Sequence, residues 1–159
     1  MSFQRIGKIQ GDNFEEQAQI ALSAVGFEIA GIHVDILAAG VDVDIIANNQ
    51  HGVSFYVTCK GSLQGERPGC IRTDTLKKAI AEAYCLHAVG LWPILFLTSH
   101  LPEDGRGIAM LNLALSDPAM LFDALVPSQD RKRIKWLAGA TEEALRSDIL
   151  ARTKQQYKG

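Results

Sequence analysis

The chain has 159 residues and a mass of 17.3 kDa, with 47% apolar and 21% charged side chains, which predicts one domain over residues 1–159 and excludes a disordered chain. Its net charge of −2 gives no overall attraction to nucleic acid or an anionic membrane, although residues 128–159 carry +4 against −4 over residues 1–60. Three cysteines without a C-x-x-C, no apolar leader in the first 16 residues and no apolar run longer than the ten residues 88–97 argue against a disulfide framework, a four-cysteine zinc site, a signal peptide and a membrane span, so a cytoplasmic protein with reduced thiols is expected.

In chain order, Asp12 or Asn13 is placed to cap a helix whose apolar positions Phe14, Ala18, Ala21, Leu22 and Val25 share one face, and Gly26 stops it. On that helix Glu15 borders the apolar face and Glu16 points to water. Residues 27–37 read as a strand rich in Ile and Val. A turn at Ala38, Ala39 and Gly40 leads into Val41-Asp42-Val43-Asp44-Ile45-Ile46-Ala47, where apolar and acidic residues alternate with the period of a strand. Asn48 to Gly52 is a turn, and Val53 to Lys60 the partner strand of a hairpin. After a polar loop over residues 61–70, Thr73 or Asp74 is placed to cap a helix over residues 75–89, with Leu76, Ala79, Ile80, Ala83 and Leu86 or His87 on its apolar side. Residues 92–98 form a nearly continuous apolar run, the pattern of a strand buried on both faces and reached by a crossover to a parallel neighbour. Residues 107–115, 118–125 and 128–154 read as helices. The expected architecture is α/β, a mixed sheet flanked by helices, with an α-β-β-β-α-β core over about residues 11–98 and a helical C-terminal extension over about 105–156.

Chemistry concentrates at the hairpin. Strand alternation puts Asp42 and Asp44 on one face, and Thr58 and Lys60 on one face of the next strand, so two carboxylates lie beside a hydroxyl and an ammonium. Carboxylate oxygens suit a hard divalent cation, which polarises a phosphate and acidifies an attacking water, and a lysine nearby balances the charge that develops.

This arrangement resembles the PD-(D/E)XK nuclease superfamily, whose restriction-endonuclease-like fold is shared by Holliday-junction resolvases and Mrr-type enzymes. The resemblance spans about residues 11–98 and rests on Gly11-Asp12-Asn13-Phe14-Glu15, Gly40 to Ile46, and Tyr56-Val57-Thr58-Cys59-Lys60. It implies that Asp44 is the metal-binding aspartate, Lys60 the catalytic lysine, Glu15 the helix glutamate that aids metal binding, and Asp42 the second acid of resolvase-like members. The departure is Thr58, a hydroxyl where the (D/E)-x-K pattern has an acid. The ion, Mg²⁺ or Mn²⁺, would then be held by Asp44, Glu15, the carbonyl of Cys59 and water. The implied activity is metal-dependent hydrolysis of DNA, by an endonuclease or a resolvase-like enzyme that often works as a homodimer. The alternatives are a degenerate member that binds DNA or protein without turnover, and a small structural or regulatory α/β protein in which Asp42, Asp44 and Lys60 merely form ion pairs.

Phosphate contacts have to come from local basic groups: Arg67, Arg72, Lys77 and Lys78 after the hairpin, and Arg131, Lys132 and Arg133 in the tail, where Trp136 is available to stack. His33, His51, His87 and His100 are scattered and read as core or surface residues. The Cys59 side chain falls between Thr58 and Lys60 and is expected in the apolar layer.

Overall fold

The computed structural model describes residues 3–62, 68–116 and 120–156, with side chains over residues 13–152 of these. Phe14, Ala18 and Leu22, four residues apart, are buried along one side of α1 (Phe3–Ala24). Gly26, at φ +110°, turns the chain from that helix into β1 (Glu28–Ile36). β2 (Val41–Asn48) and β3 (Ser54–Lys60) follow as the expected hairpin. A short 3₁₀ turn (Gly69–Ile71) precedes α2 (Thr73–Ala88), and then come β4 (Ile94–Thr98), α3 (Gly105–Ser116), β5 (Asp123–Leu125), α4 (Arg131–Gly139) and α5 (Glu142–Gln156).

The protein is thus α/β, and the described residues form five helices around one five-stranded mixed sheet in the order β1-β2-β3-β4-β5. β1, β2 and β3 run antiparallel, and β3, β4 and β5 run parallel, with α2 as the crossover from β3 to β4. β4 is buried on both faces, as its apolar run predicts: Leu95 and Leu97 pack with α1, α4 and α5, and Ile94 and Phe96 with α2 and α3. No helix among the described residues is long and apolar enough to cross a membrane.

Four expectations need correction. Asp12 and Asn13 lie inside α1, which starts at Phe3. Residue 72, not 73 or 74, is the N-cap of α2, and its arginine side chain makes no capping bond. The segment expected to be a helix over residues 118–125 contains β5, and residues 117–119 lie outside the described residues. The tail is two helices rather than one. β5 pairs with β4, and Ile134, Leu137 and Leu145 are buried in the core shared with α1.

Asn49 explains the break between α4 and α5. Its buried side-chain amide donates to the carbonyls of Leu137 (3.0 Å) and Ala140 (2.7 Å), while its oxygen accepts from the N–H groups of His51 (2.9 Å) and Val53 (3.0 Å). One side chain therefore closes the β2–β3 turn and the end of α4. Asn49→Ala leaves these groups without their partner, and an expected loss of roughly 2–4 kcal/mol, read from urea unfolding, follows from desolvated and unpaired backbone polar groups.

Arg133 ties β5 and α5 to α4. Its guanidinium donates to Asp123 (2.7 Å) and, through two nitrogens, to Asp148 (3.1 and 2.8 Å). The hydrogen bonds from Arg133 hold the Asp148 carboxyl below its ordinary range against a partial burial that opposes them, and the charges of Arg133 and Arg152 add to the effect. A carboxyl whose pKa falls on folding contributes stability that is complete above its unfolded value and disappears as the pH drops through its folded one. Asp148→Asn is therefore expected to lower the urea midpoint at pH 7, and the gap from wild type to close once the medium is more acid than the ordinary carboxylate range.

Candidate active site

The site forms where β2 parts from β3. The two strands pair from Asn48 opposite Ser54 to Ile45 opposite Val57. Ile45 and Ala47 pack with α1, whereas Val41 and Val43 pack with α2. The strict alternation expected along this strand therefore breaks between Val43 and Ile45, and Asp44 lies at the break. With β2 turned away, the Asp44 carboxylate serves the edge of β3 instead: Oδ2 accepts from the Cys59 N–H at 2.7 Å and lies 3.5 Å from Thr58 Oγ1. Asp44 is 8% exposed. Burial pushes its pKa up, the Glu82 and Asp42 charges add to this, and the Cys59 N–H and Lys60 oppose it.

Glu15 comes from α1, on the other face of the sheet. A Cβ at Gly61 would run into the Phe14 ring, so a glycine directly after Lys60 lets α1 approach the end of β3 and brings Glu15 to the site. His33 comes from β1, two residues past a register shift between Ile29 and Gly31, and holds a left-handed φ of +49°. Its Nε2 is 2.9 Å from Glu15 Oε2, and its Nδ1 is 3.8 Å from Asp42 Oδ2 and 3.9 Å from Asp44 Oδ1. Glu15, His33 and Asp44 each present one ligand atom within 4.8 Å of the others, a donor set that can hold a metal ion. Asp42 is more exposed and sits beside this triangle.

The α2 side carries a second feature. Thr58 Oγ1 donates to Glu82 Oε2 at 2.7 Å, and Lys60 Nζ donates to Glu82 Oε1 at 2.8 Å. A carboxylate from the helix thus bridges Thr58 and Lys60. Burial alone would lower the Lys60 pKa, but the Glu82 hydrogen bond and charge, helped by Asp44 and Asp42, outweigh it and the net direction is up.

Of the residues singled out from the sequence, Asp44, Glu15, Thr58 and Lys60 come together, with Asp42 at the margin. Cys59 meets Asp44 through its N–H, and its side chain is in the apolar layer as expected. Burial drives that thiol well above its usual pKa, with the Asp44 and Glu15 charges adding, so it stays protonated. Lys77, Lys78 and Arg72 are exposed on α2 and at its start. Lys78 is one turn before Glu82 on the same side of the helix, and Lys77 faces away from it. Arg131 and Lys132 are exposed on α4, Arg133 is engaged by Asp123 and Asp148, and Arg67 lies outside the described residues.

Two residues were missed. In the sequence His33 reads like the other histidines, as a core or surface residue; only the turn-over of β2 and the irregular backbone of β1 put its ring among the acids. Glu82 left a readable trace: on a helical wheel it stands about 60° from Ala79, at the border of the apolar stripe of α2, where a charge needs a partner. Comparisons with protein families, with curated proteins and with solved structures give no match.

Proposed function

We propose that this protein is a metal-dependent nuclease of the restriction-endonuclease-like fold that hydrolyses phosphodiester bonds in DNA. The observation that carries the reading is Glu82. The resemblance to PD-(D/E)XK nucleases lacked an acid at Thr58, and the Glu82 carboxylate, 2.7 Å from Thr58 Oγ1 and 2.8 Å from Lys60 Nζ, stands next to the position that acid would occupy. The element order and the mixed sheet, antiparallel through β3 and parallel after it, support the same reading.

Asp44 and Glu15 are the residues that would hold the ion, and a bound divalent cation supplies Lewis acidity toward the phosphate and a more acidic water. Lys60 remains an ammonium, because Glu82 and the neighbouring acids raise its pKa. It therefore acts as a fixed positive charge beside the reacting phosphate and as a hydrogen-bond donor to it or to the attacking water, not as a proton acceptor. Glu82 aims that ammonium, and Thr58 aims Glu82. Lys78 and Arg72, exposed at the start of α2, would in this reading contact the nucleic-acid backbone.

The reading in which the fold binds without turnover drew on Thr58, and Glu82 weakens that motive. Labelled single-stranded, duplex and branched DNA incubated with the protein in Mg²⁺ and in Mn²⁺, with Lys60→Ala prepared in parallel, decides between them. Metal-dependent cutting that the variant lacks is expected. DNA retained without cutting on all three substrates would leave binding as the function.

A further inference from the structure

Three carboxylates surround the His33 ring. Nε2 is 2.9 Å from Glu15 Oε2, and Nδ1 is 3.8 and 3.9 Å from Asp42 Oδ2 and Asp44 Oδ1. Glu15, His33 and Asp44 each present one ligand atom within 4.8 Å of the others, close enough for a single ion to be shared by a ring nitrogen and two carboxylates. As a surface ion pair the contact has little value, since the ring is 51% exposed and water screens it. The same exposure gives an ion a path from solvent.

We infer that His33 is a metal ligand and that it makes this a mixed nitrogen–oxygen centre, which takes a first-row transition dication such as Mn²⁺ in preference to Mg²⁺. The inference rests on the metal centre of the reading above and not on its hydrolytic half. Mg²⁺ is bound through carboxylates and retained waters and gains little from imidazole, whereas affinity for nitrogen donors rises along the first-row series. Glu15 and Asp44 alone make a centre for either ion; the imidazole is what separates them.

The test uses the full chain stripped of metal, with Mn²⁺ as the probe. Pulsed electron paramagnetic resonance of the Mn²⁺ form is expected to show modulation from a directly bound ¹⁴N, and calorimetry to show tighter binding of Mn²⁺ than of Mg²⁺. His33→Asn removes the ring while tolerating the left-handed backbone. It should abolish the nitrogen modulation and weaken Mn²⁺ by about tenfold or more, since the loss of even an outer-shell partner costs that much, while changing Mg²⁺ far less. A wild-type Mn²⁺ spectrum without nitrogen modulation overturns the inference, and that result does not depend on how the variant folds. An equal loss for both ions in His33→Asn overturns it as well. Nitrogen-ligated Mn²⁺ with no DNA cleavage upholds the inference and removes the nuclease reading; Mg²⁺-driven cleavage with no bound nitrogen does the reverse.

Discussion

Asp44→Asn is expected to abolish metal-dependent DNA cleavage and at the same time to leave the metal-free protein as stable as wild type or more so. The carboxylate is buried beside Asp42 and Glu82 and within reach of Glu15 and His33, and its raised pKa means that the ionised form is disfavoured in the folded state. A raised folded pKa contributes stability below the unfolded value and withdraws it as the pH rises through the folded one, so at neutral pH the Asp44 charge is a burden on the fold. Asparagine keeps an oxygen for the Cys59 N–H and removes the charge. A cation repays that burden in wild type, and the variant has nothing to repay. Two measurements check this: cleavage should fall by about a thousandfold or more, as the loss of an ion worth several kcal/mol in the transition state implies, and the upward shift of the melting temperature on adding Mn²⁺ should vanish. A variant that melts well below wild type in chelator would show instead that the Asp44 charge stabilises the fold.

How much of this was legible in the sequence depends on the reach of each signal. The periods of Phe14, Ala18 and Leu22, and the unbroken apolar run of β4, depend on local geometry and survived intact. β5 has three residues, too few to display a period, and it is a strand because β4 offers it a parallel edge. The break between α4 and α5 depends on Asn49, 91 residues before Ala140, whose amide ends one helix by binding its last carbonyls. Within the site, Asp44 and Lys60 could be found because strand alternation puts them on adjacent strands of one hairpin, and Glu15 because the resemblance carries a glutamate on the preceding helix. His33 and Glu82 enter from neighbouring elements at positions that depend on the turning over of β2 and the facing of α2, information that no short window contains. Thr58 is the instructive residue: read alone it weakens the site, and seen beside Glu82 it becomes the hydroxyl that holds the acid in place.

The Thr58–Glu82 pair also makes the second large prediction, one of sign as well as size. Glu82→Gln removes the counter-charge that holds the Lys60 ammonium, and with it the nearest acid to Thr58. Cleavage is expected to fall by roughly a hundredfold to a thousandfold, the scale on which a single aimed electrostatic group acts in a catalytic site. Thr58→Asp alone should also be inactive or nearly so: Thr58 is 2% exposed, and its hydroxyl is 2.7 Å from the Glu82 carboxylate, so a second buried carboxylate meets the first without a proton between them. Combining the two substitutions moves the acid from α2 to β3, into the (D/E)-x-K spacing, and leaves one negative charge in the same place. If the acid is catalytic and its origin immaterial, Thr58→Asp with Glu82→Gln should cleave better than either single variant, and the double-mutant cycle on cleavage rate should show strong positive coupling. If Glu82 serves only to tie α2 to β3, the double variant should fold less well than wild type and recover no activity.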